Sequence, residues 1–378
     1  MKIVYIVNTL MPTDKAHGYQ ISKTCEKFAG FGYDVELWVP NRKNHVADDL
    51  FAYYGLKRNF TLGKIPCPDV IFLGHYIGPL AFYAQTFFFS AKLFFKNIEK
   101  NSLIYSRDIL PIFIFKLRGF NVVYNAHNWA KKMKWFIRLF LGKNLKIVCN
   151  SEGTKRQIAR DGFRNLLAVP NGVDIEEFEN LGDKFEIRKK LGLPLDKKIV
   201  MYVGHLYGWK GVGAMIDSAK LLRERKDILF VIIGGDKEEQ KKYAEKIARE
   251  HIGNVLLLGH KLKQDIPKYL TSADVLLLPN VATTEESKSY TSPIKMFEYM
   301  ASGVPILASD LPSLREVLTE ENSVLVKSGD PQAFAAGIEK ILSDTELCEY
   351  VTRNAKRDVK KYTWDAYAKK ILDFIITS

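Results

Sequence analysis

Short runs of Val, Ile and Leu recur along almost the whole chain, separated by stretches with helical spacing, and this alternation restricts the fold more than any other feature. In the first half the runs are Ile3–Val7, Val35–Val39, Val70–Leu73, Leu103–Tyr105, Val122–Tyr124, Ile147–Cys149 and Leu166–Val169. In the second half they are Ile199–Val203, Leu229–Ile233, Val255–Leu258, Val275–Leu278, Pro305–Ala308 and Ser323–Val326. Strands apolar at nearly every position suit a sheet buried on both faces, and the intervening helices supply the crossovers that parallel strands need. The pattern predicts an α/β chain with two doubly wound parallel sheets. A length of 378 residues fits two such domains better than one core.

The boundary is expected near Pro170-Asn171-Gly172, a turn sequence followed by the acidic Asp174, Glu176, Glu177 and Glu179. The expected organisation is a first domain over residues 1–170, a linker over 171–183 and a second domain over 184–362. An amphipathic terminal helix over 363–378 crosses back to the first domain. Two open sheets of this kind are expected to bind ligands at the carboxyl ends of their strands, in a cleft between domains.

Charge is unevenly placed. Residues 1–170 hold 25 Lys and Arg against 11 Asp and Glu, whereas residues 171–378 hold 31 against 32. A field concentrated in one half favours an anionic partner, such as a phosphorylated substrate, an anionic membrane face or a nucleic acid. No basic and aromatic reading module is present, which disfavours nucleic acid. Lys131, Lys132, Lys134, Trp135, Phe136, Arg138, Leu139 and Phe140 join positive charge to apolar bulk, and they point to docking on the inner face of a cytoplasmic membrane. The Phe-rich segment Ile77–Phe95 is interrupted by Gln85, Thr86, Ser90 and Lys92, so a buried crossover helix is expected ahead of a helix that grazes lipid, and a membrane span least of all. The four cysteines are scattered without a CxxC pair, and the amino terminus reads as a first strand instead of a signal peptide; both fit a cytoplasmic setting.

Chemistry concentrates in the second half. Met201 to Gly211 reads as a strand end, a glycine turn and a helix start near Lys210, which is an arrangement that binds anions through backbone N–H groups and the helix dipole. His205 and Lys210 add side-chain donors there, although a plain strand-to-helix turn with an exposed lysine has the same pattern. Further on, Ser292 is expected as the N-cap of a helix with Pro293 in its first turn. Lys295 and Glu298 fall on one side of that helix. The N–H groups near Ser292, Pro293 and Ile294, with Lys295, suit a diphosphate, and Glu298 suits two adjacent ribose hydroxyls. A surface ion pair between Lys295 and Glu298 fits the same spacing.

The three stretches Pro170-Asn171-Gly172-Val173-Asp174, Val203-Gly204 to Lys210-Gly211, and Ser292-Pro293 to Glu298-Tyr299-Met300-Ala301-Ser302-Gly303 resemble, in order and distance, the retaining nucleotide-sugar-dependent glycosyltransferases of the group-one class (family four). The resemblance covers essentially the whole chain. It implies the GT-B fold, with two Rossmann-like domains, and transfer of a hexose-type sugar to a lipid-linked or glycan acceptor hydroxyl. Synthesis of a cell-surface polysaccharide or glycolipid is the implied setting. It assigns the donor diphosphate to Lys210 and Lys295, the ribose to Glu298, the base to backbone around Gly259, His260 and Lys261, and catalysis to His127 with Lys210 and Glu298. His205 stands where the family usually has Arg, and Tyr290 where the first glutamate of its paired motif would fall; Glu285 and Glu286 lie just upstream. In the first half the loop Asn8–Gln20, with His17 and Gly18, is implied beside the diphosphate and acceptor, and His127 and Arg107 end strands on the same side.

No cluster of metal-ligand spacing and no DxD in a donor-binding context appears, so metal-independent transfer without a cofactor is expected, the nucleotide sugar being a co-substrate. No Gly-x-Gly-x-x-Gly follows the first strand and no Gly-x-Ser-x-Gly occurs, which disfavours a dehydrogenase and an α/β-hydrolase. A sugar-nucleotide epimerase of the same architecture and a nucleotide-binding relative without turnover are the alternatives.

Overall fold

The computed structural model describes residues 1–376 apart from His45, Pro79 and Asn128; the side chains of Ile77 and Glu286 are not described. Two compact units are present, residues 1–170 with the helix Trp364–Ile376, and residues 171–363.

The first unit is a parallel sheet of seven strands in the order β3-β2-β1-β4-β5-β6-β7 among the described residues. They are β1 (Lys2–Ile6), β2 (Asp34–Asn41), β3 (Thr61–Pro66), β4 (Leu103–Ser106), β5 (Asn121–Ala126), β6 (Lys146–Cys149) and β7 (Leu166–Ala168). Alternate side chains along each strand serve opposite faces. Val4 and Ile6 join Ile104, Tyr124 and Ile147 beneath the helices Leu80–Phe94 and Ile109–Leu117 and the turns over 131–141. On the other side Tyr5 packs edge-on against Tyr105, Tyr105 against Phe28 of the helix Ala16–Gly30, and that helix meets Trp364–Ile376. Trp364 is fully buried, as are Tyr367 and Ile371 on the same helical stripe. An apolar side chain of this size contributes about 1.5–3 kcal/mol when fully buried, so the terminal helix is an integral layer of the first unit.

The second unit repeats the plan with β8 (Lys198–Val203), β9 (Ile228–Ile233), β10 (Val255–Gly259), β11 (Val275–Leu278), β12 (Ile306–Ser309) and β13 (Val324–Val326) in the order β10-β9-β8-β11-β12-β13. All pairs are parallel. Val200, Tyr202, Phe230 and Ile232 serve one core, and Ile199, Met201, Val203 and Val231 the other.

Several expectations are corrected. Val70–Leu73 is not a strand: Ile71–Leu73 forms a 3₁₀ turn, and the strand lies at Thr61–Pro66. The strand is an edge, where Pro66 costs no central ladder bond, and Gly63 lies under Trp38, whose Cδ1 would stand 2.7 Å from an added Cβ. The stretch 171–183, expected as a linker, is packed into the second unit. Val173 bridges to Thr363, and Ile175 and Phe178 pack on that unit's core. The Phe-rich segment forms the helix Leu80–Phe94, which buries Ala81, Gln85, Phe89, Ser90 and Leu93 but leaves several of its rings in solvent, so it is not a buried crossover. No described helix is long and apolar enough to cross a membrane.

Candidate functional site

The carboxyl ends of β8, β9, β10 and β11 form one edge of the second sheet, and the sequence candidates of that half gather there. After β8 the chain runs through Gly204 and a turn at Gly208–Lys210 into the helix Val212–Leu221. Gly211 holds φ +76°, and the Pro279 carbonyl occupies the place of a side chain. Gly204 is equally constrained: a Cβ there would stand 2.5 Å from the Tyr202 hydroxyl and 3.0 Å from Lys295 Cε. The missing side chain lets Lys295 lie across the loop. His205 stacks on Tyr207 at 5.0 Å between ring centres, and its carbonyl accepts a 2.6 Å bond from Tyr202 Oη.

The helix Ile294–Ser302 enters the site from the other side of β8. Its Tyr299 Oη accepts from the Val203 amide at 2.9 Å, which pins the helix to the strand end. Ser292 is not its N-cap. Pro293 occupies that position without a side-chain cap, because Ser292 Oγ accepts from the Asn171 amide at 3.2 Å and Ser292 O accepts from Asn171 Nδ2 at 2.6 Å. The Pro-Asn-Gly turn thus orients the helix start, and the first-turn amides of Ile294 and Lys295 have no capping side chain.

Lys210 and Lys295 come together here. Burial, reinforced by the neighbouring ammonium of Lys295, lowers Lys210 to about 7; burial lowers Lys295 to about 8, with Glu298 opposing that shift. Lys210 also lies 3.9 Å from the centre of the Trp209 ring. Among the described residues neither lysine has a carboxylate within ion-pair distance. Glu298, only 4% exposed, instead pairs with Lys263 at 3.1 Å, and Lys263 reaches Glu177 at 3.0 Å. Burial alone would raise the Glu298 carboxyl, but Lys263 and Lys295 outweigh it and hold it below the usual range. The alternative reading of this spacing, a surface Lys295–Glu298 ion pair, is not what forms: Glu298 pairs with Lys263.

Gly259 ends β10 and His260 and Lys261 follow it; Gly259 has φ +67° and its carbonyl accepts from the Gly234 amide at 2.8 Å. Lys261 lies 5.9 Å from the Tyr269 ring centre. Tyr290 is half-buried just after the helix Glu285–Ser289, and Glu285 is exposed; the Glu286 side chain lies outside the described residues. Lys263, Glu177 and Asn171 escaped the sequence reading as site residues, although Asn171 sits in a motif it singled out.

In the first unit the remaining candidates form a separate network at the carboxyl ends of β1, β4 and β5. Arg107 Nη2 donates to His127 Nε2 at 2.6 Å and to Gln20 Oε1, while its Nε donates to Tyr5 Oη at 3.0 Å. Asn125 Nδ2 reaches the same hydroxyl at 3.0 Å. A guanidinium has donors only, so Nε2 of His127 accepts and the ring proton sits on Nδ1. Burial, then Arg107 and His17, keep His127 neutral with a pKa well below 6.5. His17 and Gly18 are not in a loop, because the helix begins at Ala16. Gly18 is buried, and the close approach it permits is by the Tyr54 hydroxyl and Thr13. His17 Nε2 stands 3.1 Å from Thr9 Oγ1.

Residues 183–358 match the family described as Glycosyl transferases group 1, and residues 19–177 match Glycosyltransferase Family 4. An uncharacterized glycosyltransferase of Methanocaldococcus jannaschii, MJ1607, is 31% identical over 54% of this chain and 52% of its own length. The matched region thus spans about half of that relative. An Escherichia coli UDP-Gal:alpha-D-GlcNAc-diphosphoundecaprenol alpha-1,3-galactosyltransferase is 22% identical over 66% of this chain and 65% of its own. Among solved structures, Anabaena Alr3699/HepE in complex with UDP and glucose aligns over 100% of both chains, with a TM-score of 0.75 and 17% identity, a likeness of fold. The chain belongs to the group 1, family 4 glycosyltransferases and has the GT-B fold.

Proposed function

We propose that the chain transfers a hexose from a nucleoside diphosphate sugar to an acceptor hydroxyl, with retention at the anomeric carbon and without a metal ion. The observation that carries this reading is the Lys210 and Lys295 pair, two half-buried ammonium groups beside the uncapped start of a helix. Cations held this close without a carboxylate suit a multiply charged anion. As the bond from the anomeric carbon to the diphosphate breaks, charge develops on the phosphate oxygen, and both lysines and the helix amides stabilise it. The acceptor oxygen bonds to the same face of that carbon, and its proton passes to the departing phosphate oxygen.

Glu298 accepts the two ribose hydroxyls, Gly259 to Lys261 offer backbone to the base, and His205 gives the phosphates a weaker donor than the usual Arg. In the first unit, which takes the acceptor, His127 offers Nδ1–H to a sugar hydroxyl. The UDP and glucose in the Anabaena neighbour favour a UDP-hexose as the first donor to test, and the diphosphoundecaprenol in the E. coli relative's name favours a lipid-linked acceptor. Such a substrate places the protein at the inner face of a cytoplasmic membrane, in cell-surface polysaccharide or glycolipid synthesis.

A thermal-shift panel of nucleoside diphosphates and their sugars tests this, with Lys210→Ala and Glu298→Ala as controls. One diphosphate stabilises the wild type and neither variant; equal stabilisation of all three sinks the site. Turnover that persists in EDTA and an α-configured product from an α-linked donor then establish the remaining terms. Conversion of the nucleotide sugar without any acceptor would favour an epimerase.

A further inference from the structure

The helix Leu80–Phe94 is apolar on two opposite stripes, and only one is used by the fold. Ala81, Gln85, Phe89 and Leu93 face the sheet. Leu80, Tyr83, Phe87 and Phe94, at helical spacing on the far side, lie in solvent, Tyr83 being 66% and Phe87 63% exposed. Just upstream Tyr76 is 81% exposed. The neighbouring crossovers repeat the arrangement. The turns over 131–141 bury Ile137 and Leu141 on the same face of the sheet and leave Trp135 73% and Leu139 76% exposed. Phe113 of the helix between them packs tilted against Phe136 and edge-on against Phe140, at 5.1 and 5.5 Å between ring centres, joining the elements into one layer.

Charge on this layer is predominantly positive. From Phe72 to Lys146 the chain carries twelve Lys and Arg and two acids. Asp108 is turned inward onto the Asn8 amide at 2.7 Å, the exposed Glu99 lies 3.7 Å from Lys2, and beyond this stretch Asp161 pairs with Lys134 at 2.9 Å. A groove of about 850 Å³ continues the layer past Leu141 and is lined by Lys116, Lys143, Lys146 and Arg164. Exposed rings flanked by lysines that far outnumber the acids complement a surface that is apolar inside and anionic at its edge. A protein partner would supply its own acids pair by pair, whereas a net positive field spread along several elements suits a continuous anionic plane.

We infer that this layer of the first unit is a docking surface for an anionic phospholipid bilayer, with the Leu80–Phe94 helix lying in the headgroup region and its Tyr83, Phe87 and Phe94 rings inserted. The inference goes beyond the transfer reaction and stands without it. The helix is also tied to the candidate acceptor side, because Asn8 Nδ2 in the loop after β1 donates to Thr86 Oγ1 at 2.8 Å.

The test is co-sedimentation of the full chain with vesicles of phosphatidylcholine alone or with one quarter phosphatidylglycerol. Wild type partitions at low salt onto the anionic vesicles, at least tenfold better than onto neutral ones. The variant Y83S/F87S/F94S loses on the order of a hundredfold or more in partitioning, and Lys131, Lys132 and Lys134 together changed to Gln lose on the order of a hundredfold. The substituted rings are exposed, so thermal unfolding of the first variant matches wild type. A second measurement needs no ring variant: brominated lipid in anionic vesicles quenches the Trp135 emission, identified by its loss in Trp135→Phe. Wild type that ignores anionic lipid, or a ring variant that partitions like wild type, overturns the proposal. So does a ring variant that converts a vesicle-free dimer to monomer, which would make the layer a contact between copies. Stabilisation by a nucleoside diphosphate, measured in the same preparations, is unchanged by the ring substitutions; its absence in wild type would count against the donor reading and leave the surface intact.

Discussion

At the proposed donor site, two ammonium groups lowered to about 7 and about 8 should make nucleotide affinity depend on pH in a direction opposite to that of the nucleotide itself. In the free protein Lys210 loses its proton as pH rises through about 7, and Lys295 through about 8. A bound diphosphate supplies the missing counter-charge and restores both towards ordinary lysine values, so binding above pH 7 takes up protons. At pH 9 recharging Lys210 costs about two pH units and Lys295 about one, each unit being worth ~1.36 kcal/mol. The full penalty is about 4 kcal/mol, or on the order of a thousandfold in Kd, relative to pH 6.5. The terminal phosphate proton, with a pKa near ~6, is gone by pH 7.5, so the window from 7.5 to 9 isolates the lysines. Calorimetry with a nucleoside diphosphate, in two buffers of different ionisation enthalpy, reads both quantities. Affinity should fall by more than tenfold across the window, with net proton uptake at pH 8.5. Lys295→Gln removes the like charge beside Lys210, raises its pKa and flattens the slope. A Kd flat from pH 7.5 to 9, with no proton uptake, refutes the reasoning.

Three other changes have defined outcomes. Glu298→Gln should weaken a nucleoside diphosphate about ten- to a hundredfold while affecting inorganic diphosphate far less at pH 6.5, below the range in which Lys295 loses its proton, a split that titration of both ligands at that pH reads directly. Gly211→Ala must place a side chain at φ +76° against the Pro279 carbonyl; about 3 kcal/mol of strain and displacement lowers the melting temperature by roughly 6–12 °C. In Arg107→Met the donor to His127 Nε2 disappears, so ¹⁵N spectra of the imidazole should show the Nδ1–H tautomer in wild type and a mixture of tautomers in the variant; identical spectra would refute the assignment.

Much of the architecture was legible because parallel strands buried on both faces leave unmistakable runs. Ile199–Val203 and Leu229–Ile233 are of this kind, and the strands lie there or within a residue. The strand Thr61–Pro66 was hidden because an edge tolerates Gly63 and Pro66, residues that elsewhere argue against a strand. The helix Leu80–Phe94 was misjudged for the opposite reason: rings on both stripes raise hydrophobicity without stating which stripe meets the core. At the candidate site, local spacing singled out Lys210, Lys295 and Glu298, but ion-pair partners are set by tertiary approach. Lys263 sits in a short turn after β10 with nothing nearby in sequence to mark it, and Ser292 looked like a cap because the claim of Asn171 upon it comes from 121 residues away.

That claim has a corollary for how such a chain can change over generations. Asn171 grips Ser292, and a few positions on Glu177 shares Lys263 with Glu298, so stretches remote in sequence are fastened into one latch. A lineage that alters one tooth of it must alter its mate, and pairs drawn from 171–177 and 263–298 should drift together among cousins while their neighbours wander independently.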